Sequence, residues 1–239
     1  MQHEKETTVS SKDTVFMTGT DTGDNKPKAI ILDMDGVVID SEPLHVKADK
    51  KLFTEYGVTL SPADWPGLKG LTPLAVYELI RSKYGFDDSF EVFHTKKDAY
   101  LAEIYREELT LFPDFLPLIQ RFKGLYAFAL TTSTHRSITE LVLTKFQIEN
   151  IFQVVTTSDD VTNGKPDPEP YSKTIYTLGF KPVECVVIED SVNGIKSAKG
   201  AGARCIAVAT SFGSDELMEA DIVVSRLGDI TENMISSPQ

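Results

Sequence analysis

Short apolar runs, separated by segments with a helical period, constrain this chain more than any other feature. Beyond Pro113 the alternation is regular. Phe115 to Lys123 reads as a helix, Tyr126 to Thr131 as a strand, Ser137 to Phe146 as a helix and Phe152 to Thr156 as a strand. Helix Glu169 to Leu178, strand Cys185 to Glu189, helix Asn193 to Lys199, and strands Arg204 to Ala209 and Asp221 to Val224 follow. One further strand, Ala29 to Asp33, lies far upstream. Strands that are apolar throughout, rather than at alternate residues, are buried on both faces, and the intervening helices supply the cover. The expected fold class is therefore α/β, with a doubly wound parallel sheet.

The stretch between the first strand and Pro113 obeys a different rule. From Glu42 onward, Leu44, Ala48, Leu52 and Tyr56 recur every fourth residue and share one helix face, and Gly57 stops the helix. A second helix is expected over Pro73 to Tyr84, ended by Gly85, and a third from about Asp88 to Glu107. The expected domains are thus a sheet domain built from residues 27–42 and 113–239, and an all-helical insert, residues 43–112, lying as a lid over the carboxyl edge of the sheet. Residues 1–26 are polar and threonine-rich and read as a flexible tail. Asp21-Thr22-Gly23 within it matches a short aspartic-protease signature by chance, since no second copy follows and no strands flank it.

Composition excludes several partners. A net charge of -12 disfavours nucleic acid, which calls for a basic patch. No apolar run approaches the ~20 residues that span a bilayer, and the amino terminus lacks the layout of a signal peptide. A cytoplasmic protein, monomeric or weakly dimeric and without a membrane partner, is expected. Cys185 and Cys205 sit in or beside apolar runs and read as buried thiols; no zinc spacing is present.

Four of the expected strands end in residues with chemistry. Asp33-Met34-Asp35-Gly36 follows the first, Thr131-Thr132-Ser133-Thr134 the second, Gly164-Lys165-Pro166-Asp167-Pro168 lies in the loop after the third, and Glu189-Asp190-Ser191 closes the fourth. Parallel strands bring all four to one edge, where open α/β sheets bind ligands. Taken singly, each has a structural explanation: helix caps for the threonines and acids, a surface position for the lysine. Taken together, they form a coherent set. Asp33 and Asp190 can hold a hard cation such as Mg²⁺, which takes oxygen ligands. The Thr132 hydroxyl and the Lys165 ammonium can hold phosphate oxygens. One carboxylate can attack phosphorus while the other moves the proton.

In these motifs the chain resembles the haloacid-dehalogenase-like phosphotransferase superfamily, from about Lys28 to the C-terminal strands. Asp33-Met34-Asp35-Gly36-Val37 is similar to its first motif, Thr132 to its second, Lys165 to its third and Glu189-Asp190 to its fourth. The resemblance implies a Rossmann-like sheet carrying a helical cap, Mg²⁺ as cofactor, and a small phosphorylated metabolite, a sugar phosphate, as substrate. It implies Asp33 as nucleophile and metal ligand, and Asp35 as general acid/base that also offers its backbone carbonyl to the metal. Asp190 would ligate the metal, and Glu189 would support or join the metal shell. Thr132, Ser133 and Lys165 would bind the transferred phosphoryl group. In the insert, His45 matches a position where β-phosphoglucomutases carry a histidine, against a structural reading of equal weight, and Leu68-Lys69-Gly70-Leu71-Thr72-Pro73 is similar to the cap's specificity loop, so that Lys69 and Gly70 would face substrate. Pro73 stands where those mutases have an arginine that grips a second phosphate. A phosphatase is therefore expected, with a β-phosphoglucomutase-type isomerase as the alternative and a catalytically silent binding protein on the same scaffold as the more distant one.

Overall fold

A computed structural model describes residues 27–68 and 70–237. Six parallel strands form one sheet in the order β3-β2-β1-β4-β5-β6. They are β1 (Ala29–Leu32), β2 (Ala127–Thr131), β3 (Val154–Thr156), β4 (Cys185–Glu189), β5 (Arg204–Val208) and β6 (Ile222–Val224). Ile31 pairs with Ala129 on one side and Val187 on the other, which places β1 in the middle. The chain winds outward from β1 in one direction through β2 and β3, then restarts at β4 in the other. The gap between the ends of β1 and β4 is thus the topological switch point, where ligands bind in open sheets.

Burial on both faces explains the unbroken apolar runs. Ile30, Leu32, Phe128, Leu130, Val186 and Ile188 point into one core, and Ile31, Ala129, Val187 and Ala207 into the other. The first is closed by α4 (Phe115–Phe122), α5 (Arg136–Phe146) and the short α8 (Glu232–Ser236), the second by α6 (Glu169–Leu178) and α7 (Val192–Gly200). Cys185 and Cys205 are buried and free on neighbouring strands.

Between β1 and β2 lie α1 (Glu42–Glu55), α2 (Pro73–Tyr84) and α3 (Phe90–Glu108). The sequence explains their limits. The Thr72 hydroxyl caps α2 by accepting from the Ala75 amide, Pro73 needs no donor there, and Gly85 ends the helix at φ 69°. Ser89 caps α3 in the same way. These helices carry their own core of Leu52, Phe53, Val58, Val76, Tyr77, Ile80 and Phe93. The buried face of α1 runs through Leu44, Ala48, Leu52 and Phe53. Tyr56, expected on that face, is the C-cap residue; half-buried, it packs on the same core, stacked on Phe93 and, at 4.4 Å, on Phe86. Helix α3 also reaches the sheet: Leu101, Ile104 and Tyr105 belong to the first sheet core. Among the described residues no helix is long and apolar enough to cross a membrane. The tail, with Asp21-Thr22-Gly23, lies outside the described residues.

Candidate active site

Strand β1 stops at Leu32, but Asp33 is still anchored to the sheet: its amide donates to the Ile188 carbonyl at 3.0 Å. The chain then turns tightly, with the Val38 and Ile39 amides both reaching back to the Met34 carbonyl. Gly36 sits in this turn at φ 78°, a conformation glycine adopts freely. A Cβ there would lie 1.8 Å from Asp190 Oδ2. The absence of a side chain at Gly36 is therefore what lets Asp190, at the end of β4, approach the β1 turn.

Beneath the turn, charges are packed with almost no water. Lys165 Nζ donates to Asp33 Oδ1 at 2.6 Å, to Glu189 Oε1 at 2.5 Å and to the Thr131 carbonyl at 3.3 Å. Its side chain is 6% exposed, and that of Glu189 is 0% exposed. Glu189 has no free oxygen. Oε1 also accepts from the Tyr171 hydroxyl at 2.9 Å, and Oε2 accepts from the Asp190 amide, the Ser191 amide and the Ser191 hydroxyl. These donors hold Glu189 below the usual carboxylate range against its burial, with Lys165 the main contributor. Burial has the opposite result next door. It pushes Asp33 up to about 8, with Lys165 pulling down and Glu189 and Asp35 adding to the rise. Burial also raises Asp190 well above the carboxylate range, helped by Glu189 and Asp33 and opposed by the Ser211 hydroxyl.

Three buried carboxylates thus share one ammonium. Ligand atoms of Asp33, Glu189 and Asp190 lie within 4.8 Å of one another. The donor set is all oxygen and short of positive charge, which suits a hard divalent cation. Because both oxygens of Glu189 are already engaged, its visible work is to fix Lys165 and the Asp190 backbone.

Asp35 has different company. Its Oδ1 lies 3.3 Å from both His45 Nε2 and the Tyr105 hydroxyl, and its Oδ2 accepts from the Thr134 hydroxyl at 2.8 Å. Burial would raise this carboxyl, but His45, Ser41 and Thr134 outweigh it and hold Asp35 at about 2. Two aspartates two residues apart are therefore driven to opposite ends of the carboxylate range, the condition under which two acids take different roles.

Thr132 is buried, and its hydroxyl accepts from the Thr134 amide at 3.1 Å, shaping the turn after β2. Ser133 lines a cavity of about 580 Å³ that opens above Asp33, Asp35, Lys165 and Asp190. The helical insert supplies the opposite wall, including His45 on α1, Trp65 in the short 3₁₀ turn Trp65–Leu68 and Lys97 on α3. Gly70 closes part of the rim: its carbonyl accepts from Asn193 Nδ2 at 3.3 Å, and a Cβ would stand 3.3 Å from the Phe212 ring. Lys69 lies outside the described residues. Tyr105, Tyr171, Ser211 and the specific role of Thr134 are not legible in the sequence. Thr134 stood in the quoted polar run, but Tyr105 carried no signal beyond a place on a helix face.

Comparison with known proteins agrees with this geometry. The sequence model of the haloacid dehalogenase-like hydrolases matches residues 30–208. This chain belongs to that family. Among relatives of the hydrolase, validoxylamine A 7'-phosphate phosphatase of Streptomyces hygroscopicus subsp. limoneus is 30% identical over 208 residues, covering 86% of this chain and 95% of the relative. A phosphorylated carbohydrates phosphatase of Thermotoga maritima is 31% identical over 180 residues, 73% and 82% of the two chains. The crystal structure of CbbY from Rhodobacter sphaeroides in complex with phosphate superimposes with a TM-score of 0.77 at 27% identity, over 85% of this chain and 96% of that one. The haloacid dehalogenase-like hydrolase described here is a phosphoric monoester hydrolase.

Proposed function

We propose that this hydrolase is a Mg²⁺-dependent phosphatase of a small phosphorylated sugar, working through an aspartyl phosphate on Asp33. The observation that carries the reading is the Asp33–Lys165–Glu189 network beside Asp190, placed at the switch point and beneath a cavity of about 580 Å³. The printed names of relatives support the substrate class: phosphatases of a phosphorylated carbohydrate and of validoxylamine A 7'-phosphate. Residues 43–112 act as the cap, excluding bulk water while the reaction runs.

Asp33 and Asp190 are the side chains suited to hold Mg²⁺, with the Asp35 carbonyl as a further donor. The cation would offset the negative charge of nucleophile and substrate. Lys165 stands at hydrogen-bond distance from the attacking carboxylate, so it neutralises a phosphoryl oxygen brought to Asp33. Thr132 and Ser133 supply the neighbouring hydroxyl and amide donors. A carboxylate oxygen of Asp33 forms a bond to phosphorus as the phosphorus–sugar oxygen bond breaks. The leaving oxygen takes its proton from Asp35.

Held at about 2, Asp35 is anionic before substrate arrives. A phosphate dianion beside it raises its affinity for a proton, so Asp35 takes one up from solvent as substrate binds and can then give it to the leaving oxygen. In the second half, a water attacks phosphorus, gives its proton to Asp35, and the bond to Asp33 breaks. His45 and Tyr105 hold Asp35 in place from the cap side. Glu189 positions Lys165.

Hydrolysis is favoured over isomerisation because no arginine lines the described part of the cavity, and Pro73 occupies its rim. The test is a panel of phosphorylated sugars with Mg²⁺, read by released phosphate, with β-glucose 1-phosphate also assayed for glucose 6-phosphate. Phosphate release that disappears in Asp33→Asn, at least about 10³-fold, is expected. Isomerised product without phosphate would replace the hydrolase by the mutase, and undiminished release in Asp33→Asn would remove the nucleophile.

A further inference from the structure

Away from the Asp33–Asp190 network, a second set of ligating side chains stands on the cavity wall. His94 and Asp98 lie one turn apart on α3 and so share a face. His135 precedes the first turn of α5. His135 Nδ1 is 2.6 Å from Asp98 Oδ2, and His94 Nδ1 is 4.0 Å from the same oxygen. The two imidazoles meet edge-on with centroids 4.6 Å apart. One ligand atom from each of the three residues lies within 4.8 Å of the other two.

Neighbouring ligand atoms of a tetrahedral zinc, each ~2.0–2.1 Å from the metal, are about 3.3 Å apart. The two distances to Asp98 fall on either side of that value, so small side-chain rotations reach it. All three residues border the cavity, which leaves a further coordination position open to water. A simple hydrogen bond accounts for His135 and Asp98 but not for the second imidazole, His94, held between Phe90 and the His135 ring with its Nδ1 toward the same carboxylate. Burial lowers the pKa of His94, with Asp98 opposing and His135 and Lys97 adding, and a neutral imidazole is the form that ligates.

We propose that His94, Asp98 and His135 bind one divalent transition-metal ion of the zinc type, tying α3 of the helical insert to the start of α5 on the sheet. The donor set is two nitrogens and one carboxylate, which suits zinc or cobalt and is poor for magnesium. On binding, the metal takes the place of the proton that His135 Nδ1 shares with Asp98. The site is separate from the oxygen-only cluster of Asp33, Glu189 and Asp190. Its position is notable because Thr134, which donates to Asp35, is the residue directly before His135. The sequence did not show it: the ligands are split between two elements, and 37 positions separate Asp98 from His135.

The test is a Co²⁺ titration of the full chain in saturating Mg²⁺, which keeps the oxygen-rich site filled, read by visible d–d absorption. One equivalent is expected to give the absorption of a four- or five-coordinate nitrogen-ligated site, and Zn²⁺ should bleach it. His94→Gln and His135→Gln should each weaken Co²⁺ at least about tenfold, as loss of a direct ligand exceeds loss of an outer-shell partner. Asp33→Asn should retain the signal. Far-UV circular dichroism without metal checks that each variant folds, and Asp98→Asn substitutes for any that does not. No absorption in the wild type would overturn the proposal. So would absorption that survives the histidine substitutions, since the ion would then sit at His3, His45 or the carboxylates.

Discussion

The floor and the wall of the cavity are built on different principles. On the floor, Lys165, Asp33 and Glu189 have side chains 6%, 9% and 0% exposed, and Lys165 and Glu189 are each fixed by several partners. On the wall, the polar side chains are more open: Asp49 pairs with Lys97 at 2.7 Å, 14% and 16% exposed, and His45, 27% exposed, reaches down to Asp35. Even the apolar support differs, since the wall has its own core of Leu52, Phe53, Tyr77 and Phe93 while the floor rests on the sheet. In the proposed reaction the floor would present fixed electrostatics to the phosphoryl group, which is the same in every phosphomonoester, and the wall would face the rest of the substrate, which is not.

If the floor is one network, removing its only cation should damage both catalysis and folding. Lys165→Met leaves the three buried carboxylates Asp33, Glu189 and Asp190 without counter-charge. Turnover should fall by at least about 10³-fold and stability by about 3–5 kcal/mol, read by phosphate release and urea unfolding. Unchanged stability would break the contrast with the wall.

Gly194→Ala tests the same network from behind. Gly194 stands in the first turn of α7, and alanine is favoured over glycine in a helix by up to ~1 kcal/mol, so propensity alone predicts stabilisation. But a Cβ at Gly194 would stand 1.7 Å from Glu189 Oε1. The clash should win, giving a net loss of about 1–3 kcal/mol together with a loss of turnover as Lys165 is released. A stabilised, fully active variant would show that Glu189 is free to move.

Thr134→Val sharpens the boundary between floor and wall. It removes a donor that favours the Asp35 anion, so the pKa of Asp35 should rise. The kcat should fall about tenfold, and the acid limb of its pH profile should move upward. Stability should change little.

The smallest effect concerns pH. Asp33 is raised to about 8 from the ordinary value of 3.8, so between these values the folded chain binds more protons than the unfolded one. Its contribution therefore makes the metal-free protein less stable as pH rises through that window. A cation that binds the deprotonated carboxylates reverses this, so Mg²⁺ should raise Tm more at pH 8 than at pH 5.5. Differential scanning calorimetry with and without Mg²⁺ at the two values decides, and equal shifts would argue against a cation on Asp33.

Much of the sheet was legible because its strands are buried on both faces and bounded by turn residues. Cys185–Glu189 and Pro73–Tyr84 match their expected limits. The limits of β3 do not: the segment before it folds as a short 3₁₀ turn, Glu149–Ile151, so pairing begins at Val154 rather than Phe152. Helix α8 has only five residues, too few to show a period. In the site, strand ends were readable because fold topology alone brings them together. Contacts made by Thr134 and Tyr105 were not, since they reach Asp35 across 99 and 70 positions of chain. Nothing local marks such a residue.

Helix α3 is rooted in two places. Phe93 is set in the core of the insert, and Leu101, Ile104 and Tyr105 in that of the sheet. A rod held at both ends cannot let one end swing without turning the other. Tyr105 sits near the pivot with its hydroxyl against Asp35. Any opening of the insert would thus alter the surroundings of Asp35, the proton carrier proposed above. On that proposal, the group that must act once the chamber is shut is also the one whose contacts change when it is not.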